Sequence, residues 1–228
     1  MPACGRSTLA MLEVSGLNAG YGRAQVLFDL GLRLERGEVA VLFGRNGAGK
    51  STTLKAIMGL VRAASGSVSF AGQSIERLEP FEIARLGLGY VPEDRRIFTD
   101  LTVAENLEVG RRAPRPGVAP WTHERLFALF PNLAKLRERL GGRISGGEQK
   151  MLAIARTLVA NPAAILLDDP SEGIAPVIVR QIADTLLELK RAGMSILLCE
   201  QNLHFARRVA DRAYLIEKGR VREEALPA

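Results

Sequence analysis

The sequence predicts an α/β protein: a parallel sheet buried on both faces, with a helical lobe inserted into it. Three observations predict this. The apolar runs Glu38–Phe43, Ala164–Leu167 and Ser195–Cys199 are strand-sized and leave no polar face, as in strands covered on both sides. Helix-patterned segments separate these runs, which makes the strands parallel rather than hairpin-linked. Between the first and second runs, residues 80–140 read as mostly helical, enough for a separate lobe.

The elements follow in order. Leu12–Leu17 and Leu27–Leu34 have strand-like patterns, and Arg36-Gly37 turns the chain into the strand Glu38–Phe43. Ser51–Leu60 reads as a helix and Ser67–Phe70 as a short strand. The helical stretch is broken at residues 113–120, where prolines and Gly117 forbid a continuous helix. Beyond it come a helix at Gly147–Ala160, the strand Ala164–Leu167, a helix at Pro176–Arg191 and the strand Ser195–Cys199. A helix at Leu203–Ala210 and a closing hairpin over Ala213–Val221 complete the chain.

Composition limits the function classes. The 228 residues are 47% hydrophobic and 25% charged, a soluble globular balance with room for one domain and a small second lobe. No apolar run approaches 18 residues, and Met1–Ala10 lacks the apolar segment of a secretory signal. Cys4 and Cys199 form neither a metal spacing nor a disulfide framework, as expected of a reducing cytosol. Net charge is +6, yet the pairs Arg95-Arg96, Arg111-Arg112 and Arg207-Arg208 are scattered and aromatics make up only 5%. Solvated surface, or proximity to an anionic membrane face, is the reading preferred over a nucleic-acid partner.

Gly44, Arg45, Asn46, Gly47, Ala48, Gly49, Lys50 and Ser51 fit G-x-x-x-x-G-K-[ST] between a predicted strand and a predicted helix, the setting of a phosphate-binding P-loop. The glycines let backbone N–H groups close on phosphate oxygens, and the helix points its positive end at the same charge. Lys50 can reach the β- and γ-phosphates, and the Ser51 hydroxyl can ligate Mg²⁺. Ala164–Asp168 is an apolar strand ending in a carboxylate, similar to the Walker B element that holds Mg²⁺ through water. Ser145, Gly146, Gly147 and Glu148 lie about twenty residues ahead of that strand. They read as a capped helix start, which also offers a second anion site.

Gly142-Arg-Ile144-Ser145-Gly146-Gly147-Glu148-Gln149 resembles the signature motif of ATP-binding-cassette ATPases, with Ile144 for the usual Leu. The resemblance covers nearly the whole chain. It implies a P-loop NTPase (RecA-like) core, an N-terminal antiparallel β subdomain and an inserted helical subdomain. On this reading residues 1–10 are an extension, 11–79 and 161–228 form the β subdomain and nucleotide core, and 80–160 form the helical subdomain. It also implies ATP and Mg²⁺ as cofactors. Tyr21 matches the aromatic that stacks on adenine, and Thr52 follows the P-loop serine. Ser51, Asp168 and Glu93 match the metal-site positions. In the family the serine-diglycine turn binds ATP held by the opposite protomer's P-loop, so Ser145 to Glu148 would act in trans on a head-to-tail dimer.

Tyr90–Phe98, Ser171–Pro176 and Glu200–Asn202 look like the ATPase subunits of branched-chain amino-acid importers, with urea or short-chain amide importers as the near alternative. That branch implies two transmembrane permease subunits, a second ATPase subunit, a periplasmic substrate-binding protein and residence at the cytoplasmic face of the cell membrane. Three positions depart from the family pattern. Glu93 stands where Gln is usual, Gln201 takes the switch-histidine position, and Asp169 replaces the Glu that polarises the attacking water. Gln201 donates a hydrogen bond but carries no proton near neutrality. Asp169 is one methylene short, which predicts slow hydrolysis and keeps a rarely hydrolysing regulatory module as the rival. The expected catalytic set is Lys50, Glu93, Asp169 and Gln201. Thr99–Glu105 resembles a capped helix start beside the permease contact. Phe98, Trp121, Phe127 and Phe130 could add a docking surface, although helical spacing favours core positions for the last two.

Overall fold

The computed structural model describes residues 10–115 and 119–225. Nearly all of the expected 1–10 extension, with Cys4, and the centre of the 113–120 loop lie outside the described residues.

Two sheets carry the fold. The first is antiparallel, ordered β2-β1-β4-β5, from β1 (Leu12–Tyr21), β2 (Ala24–Leu34), β4 (Ala63–Phe70) and β5 (Gln73–Ser74). The second is ordered β10-β9-β3-β8-β7-β6, from β3 (Val39–Phe43), β6 (Leu88–Val91), β7 (Ala164–Asp168), β8 (Ser195–Glu200), β9 (Arg212–Glu217) and β10 (Arg220–Glu223). It is parallel except for the β9–β10 hairpin. The helices are α1 (Lys50–Ile57), α2 (Pro80–Leu86), α3 (Val103–Gly110), α4 (His123–Leu129), α5 (Pro131–Lys135), α6 (Gly146–Leu158), α7 (Pro176–Arg191) and α8 (Leu203–Val209).

The apolar runs explain the layering. Side chains alternate across a strand, so Val39, Val41 and Phe43 of β3 join a core with α6 and α7, while Ala40 and Leu42 join the core under the antiparallel sheet and α1. Likewise Ile165 and Leu167 of β7 face one core, and Ala164 and Leu166 the other. Every residue of β3, β7 and β8 is buried. The expected fold class is the observed one.

Three expectations need correction. The stretch read as helical from Pro80 contains β6, which pairs in parallel with β7 from Leu88 opposite Ala164 to Val91 opposite Leu167. Four residues carry too little periodicity to separate strand from helix, and pairing decided their state. β1 also runs on to Tyr21, because register shifts between Val14 and Leu17 and again near Ala19 break the alternation that would have revealed it. Finally, Trp121 is buried in the core and so drops out of the proposed docking set, in which Phe98 is exposed, whereas Phe130 is buried and Phe127 packs against the core as their helical spacing favours.

One asparagine pins the lobe beyond β6. Asn106 on α3 is fully buried; its Nδ2 donates to the carbonyls of Phe98 (2.9 Å), Leu101 (3.2 Å) and Thr102 (2.9 Å), and its Oδ1 accepts from Phe98 N–H. A Thr102–Glu105 capping box starts the same helix, as the sequence predicted. Asn106→Ala leaves the Phe98 N–H without its partner and takes one of two hydrogen bonds from each of three carbonyls, and is expected to destabilise the protein by about 1–3 kcal/mol, measured by denaturant unfolding.

Candidate functional site

Strands buried on both faces leave only their ends for polar chemistry, and the ends of β3, β7 and β8, with that of β6 beside them, converge at the carboxyl edge of the parallel sheet. Phe43 is opposite Glu200, Asp168 is opposite Cys199, and Val91 is opposite Leu167. The register thus brings the loop after β3, the Asp168-Asp169 pair, the Glu200-Gln201 step and the segment carrying Glu93 to one level.

The loop after β3 has the backbone that anion binding needs. Gly47 (φ 79°) and Gly49 (φ 115°) adopt left-handed conformations, and a Cβ on Gly44 would lie 2.4 Å from the Ile216 carbonyl oxygen. No side chain caps α1, so its first amides stay available to a ligand. Lys50 is 4% exposed, and its Nζ donates to the Gly44 carbonyl (3.2 Å) and lies 3.7 Å from Asp169 Oδ2. Ser51 Oγ donates to Asp168 Oδ1 (2.9 Å), and the Tyr90 hydroxyl donates to Asp168 Oδ2 (3.1 Å). Burial pushes the Asp168 carboxyl up, while these two hydrogen bonds pull it down. The hydroxyl and carboxylate pair offers the hard oxygen donors that Mg²⁺ prefers.

Asp169 is 4% exposed and sits at a left-handed φ of 40°, with its N–H donated to the Cys199 carbonyl. Burial raises its carboxyl to about 7, with Glu200, Asp168 and Glu172 adding to the rise and Lys50 opposing it. Its Oδ1 has no hydrogen-bond partner among the described residues. Carboxylate oxygens of Glu93, Asp169 and Glu172 lie within 4.8 Å of one another. A carboxylate with a free oxygen beside the phosphate loop can accept a proton from water.

The structure brings together Lys50, Ser51, Asp168, Asp169 and Glu93, with Gln201 exposed at the end of β8. Tyr21 ends β1 at 49% exposure, a flat ring open to a ligand. The serine-diglycine turn stands apart from them. Ser145 Oγ accepts from Glu148 N–H (3.3 Å) and Glu148 Oε2 accepts from Ser145 N–H (2.7 Å), the expected capping box. Among the described residues this turn makes no hydrogen bond to residues 44–52 of its own chain.

Three residues have a part in the site that the sequence motifs do not reveal. Tyr90 stands on β6, where pairing with β7 brings its hydroxyl to Asp168. Glu200, 1% exposed, accepts from Ser171 N–H (2.9 Å), Gln201 N–H (2.9 Å) and Asn202 N–H (3.0 Å), tying the loop after Asp169 to the end of β8. Its signal was a carboxylate closing the apolar run Ile196–Cys199. Lys150 of α6 is 1% exposed, and its Nζ donates to the Glu93 carbonyl (3.1 Å) and the Asp168 carbonyl (3.4 Å). Its helical register with Ile154 and Leu158 put it on the apolar stripe, a readable sign of burial.

Comparison with known proteins agrees with this geometry. Residues 27–172 match the family model described as ABC transporter. A high-affinity branched-chain amino acid transport ATP-binding protein, BraG of Pseudomonas aeruginosa, is 41% identical over 92% of this chain and 91% of its own. A probable branched-chain amino acid transport ATP-binding protein, LivF of Archaeoglobus fulgidus, is 36% identical over 92% and 90%. The lipopolysaccharide export system ATP-binding protein LptB of Haemophilus influenzae is 34% identical over 93% and 89%. Among solved structures, an ATP-binding subunit of an ABC transporter superposes with a TM-score of 0.82 at 30% identity, covering 95% of this chain and 90% of that one. A bacterial ABC transporter cassette solved as a dimer gives 0.81 at 25% identity, covering 96% and 100%. With its family model spanning most of the chain and its phosphate loop, acidic strand end and serine-diglycine helix all in place, this protein belongs to the ABC transporter family.

Proposed function

We propose that this chain is the ATP-binding and ATP-hydrolysing subunit of an importer, most consistent with branched-chain (hydrophobic) amino acids as cargo. The observation that carries the ATPase reading is the Ser51–Asp168 pair beside buried Lys50 and Asp169, all at the mouth of the phosphate loop. The cargo rests on similarity to BraG and LivF together with the sequence runs Tyr90–Phe98 and Ser171–Pro176. Similarity to LptB, an export-system protein, supports the reading that the partner proteins rather than this chain select the solute.

On this reading each residue has a distinct task. Amides of residues 44–52 and the Lys50 ammonium bind the β- and γ-phosphates, and Tyr21 stacks on the base. Ser51, Asp168 and Glu93 supply oxygen donors for Mg²⁺, which when bound neutralises phosphate charge and orients the γ-phosphoryl group. Asp169 orients and deprotonates the attacking water, and Gln201 donates a hydrogen bond toward the same oxygens. Ser145, Gly146, Gly147 and Glu148 present a capped helix start to a nucleotide held by a second ATPase subunit, an identical copy or a related chain. Their separation from their own phosphate loop supports that role in trans. ATP then favours the closed pair of subunits, and loss of the shared γ-phosphate contact lets the pair relax. The pair works against two transmembrane permease subunits from the cytoplasmic face of the membrane, with a periplasmic binding protein delivering solute. Among the described residues no helix is long and apolar enough to cross a membrane.

Two substitutions and a purification test the reading. Lys50→Ala removes the cation at the phosphates and is expected to abolish nucleotide binding and subunit closure, read by calorimetric titration with ATP and by sedimentation. Asp169→Glu restores the missing methylene. Because about 1 Å of misplacement can cost ~100-fold in rate, turnover is expected to rise severalfold or more. Equal or lower turnover would remove the account of Asp169 as a short base. Purification of the tagged chain from its native membranes should bring down two polytopic permeases and a second ATPase subunit. Recovery with a lipid-export assembly instead would overturn the importer reading.

A further inference from the structure

An ammonium group 1% exposed is costly to bury, and Lys150 makes no ion pair among the described residues. An apolar residue would suit the stripe of α6 better on packing alone. What Lys150 has instead is two backbone carbonyls from two different segments. Glu93 O belongs to the loop after β6 and Asp168 O to the end of β7. Neighbouring residues of the loop and of α6 add further struts. Arg95 Nη1 donates to Gln149 Oε1 (3.2 Å), Gln149 Nε2 donates to the Gly141 carbonyl (3.0 Å), and Arg156 Nη2 donates to the Arg96 carbonyl. The loop so held is conformationally strained. Arg95 (φ 64°) and Arg96 (φ 46°) are left-handed, a state that non-glycine residues keep only when their surroundings enforce it.

We infer that Lys150 is a positioning residue that couples the two ends of the machinery within one protomer, linking the Glu93 and Asp168 segments, which face the chain's own nucleotide, to the helix whose start grips the partner's. This rests on the function proposed above. The path is contiguous: Ser51 Oγ to the Asp168 carboxylate, Asp168 O to Lys150 Nζ, then along α6 to Ser145. Lys150 lies about 7 Å along the helix axis from the serine-diglycine turn, less than two turns of a rigid rod. A shift of either carbonyl on nucleotide binding therefore moves the turn. Without the ammonium, α6 keeps its apolar packing but loses its hold on both carbonyls.

Hydrogen exchange on dilute protein, where protomers stay apart, reads this within a single chain. With Mg²⁺ and ATP added to wild type, amides of residues 44–52 and of residues 145–150 are both expected to slow, by about tenfold for the first and severalfold for the second. In Lys150→Met the first response is expected to remain and the second to vanish, and in Lys150→Arg, which keeps donors and charge, the second should return in part. Should the methionine variant not fold, Lys150→Gln, which keeps a donor but falls short of one carbonyl, is read in the same way. Protection of residues 145–150 that persists in the methionine or glutamine variant overturns the coupling role. So does a wild type protected at 44–52 but unchanged at 145–150, which leaves the ATPase reading intact. Loss of the response at 44–52 in a folded variant makes Lys150 part of the nucleotide pocket and also overturns it. A wild type with no response at residues 44–52 overturns the ATPase reading, and this inference with it.

Discussion

Burying a parallel sheet on both faces is the constraint from which the rest follows. β3, β7 and β8 have no exposed residue, so no polar side chain can point out of their faces without a partner. Polar chemistry is pushed to the carboxyl edge, where the in-register strands end together. Asp168, Asp169 and Glu200 stand there at the boundary of the core, each 4% exposed or less. The edge is thereby a dense set of buried acids facing one buried lysine of the phosphate loop.

Such a set has to be held by hydrogen bonds, and each acid is held differently. Asp168 is satisfied by the hydroxyls of Ser51 and Tyr90, and Glu200 by three backbone amides. Asp169 keeps one oxygen without a partner and a left-handed backbone. Among these acids it is the least satisfied and the most strained, features that collect where a group must act rather than support. Glu200 does the opposite work. By gathering the amides of Ser171, Gln201 and Asn202 it fixes the loop beyond Asp169 against the end of β8.

The helical lobe meets this edge through the Glu93–Arg96 loop and the face of α6. Gln149 and Lys150 sit side by side on one turn of that helix and Arg156 lies nearly two turns further on, so the loop is gripped along a line rather than at a point. The aromatic residues of the lobe serve mainly to hold it together. Phe130 and Trp121 are buried, the latter under the Arg125 guanidinium at 3.6 Å, and Phe98 alone remains open, with Arg156 over its ring.

The fold class, the phosphate loop, the acidic strand end and the capped helix at Ser145 were legible in the amino-acid order, because each depends on local pattern: apolar runs, glycines at fixed offsets, a serine three residues before a glutamate. The strand Leu88–Val91, the hydroxyl of Tyr90 on Asp168, the amide cluster on Glu200 and the carbonyls joined by Lys150 were not. These depend on pairing between segments far apart in the chain, up to 78 residues for Tyr90 and Asp168. Residue spacing carries the geometry of one helix or turn. Which strand lies beside which, and so which polar groups share a boundary, is decided only when the two cores close around the sheet.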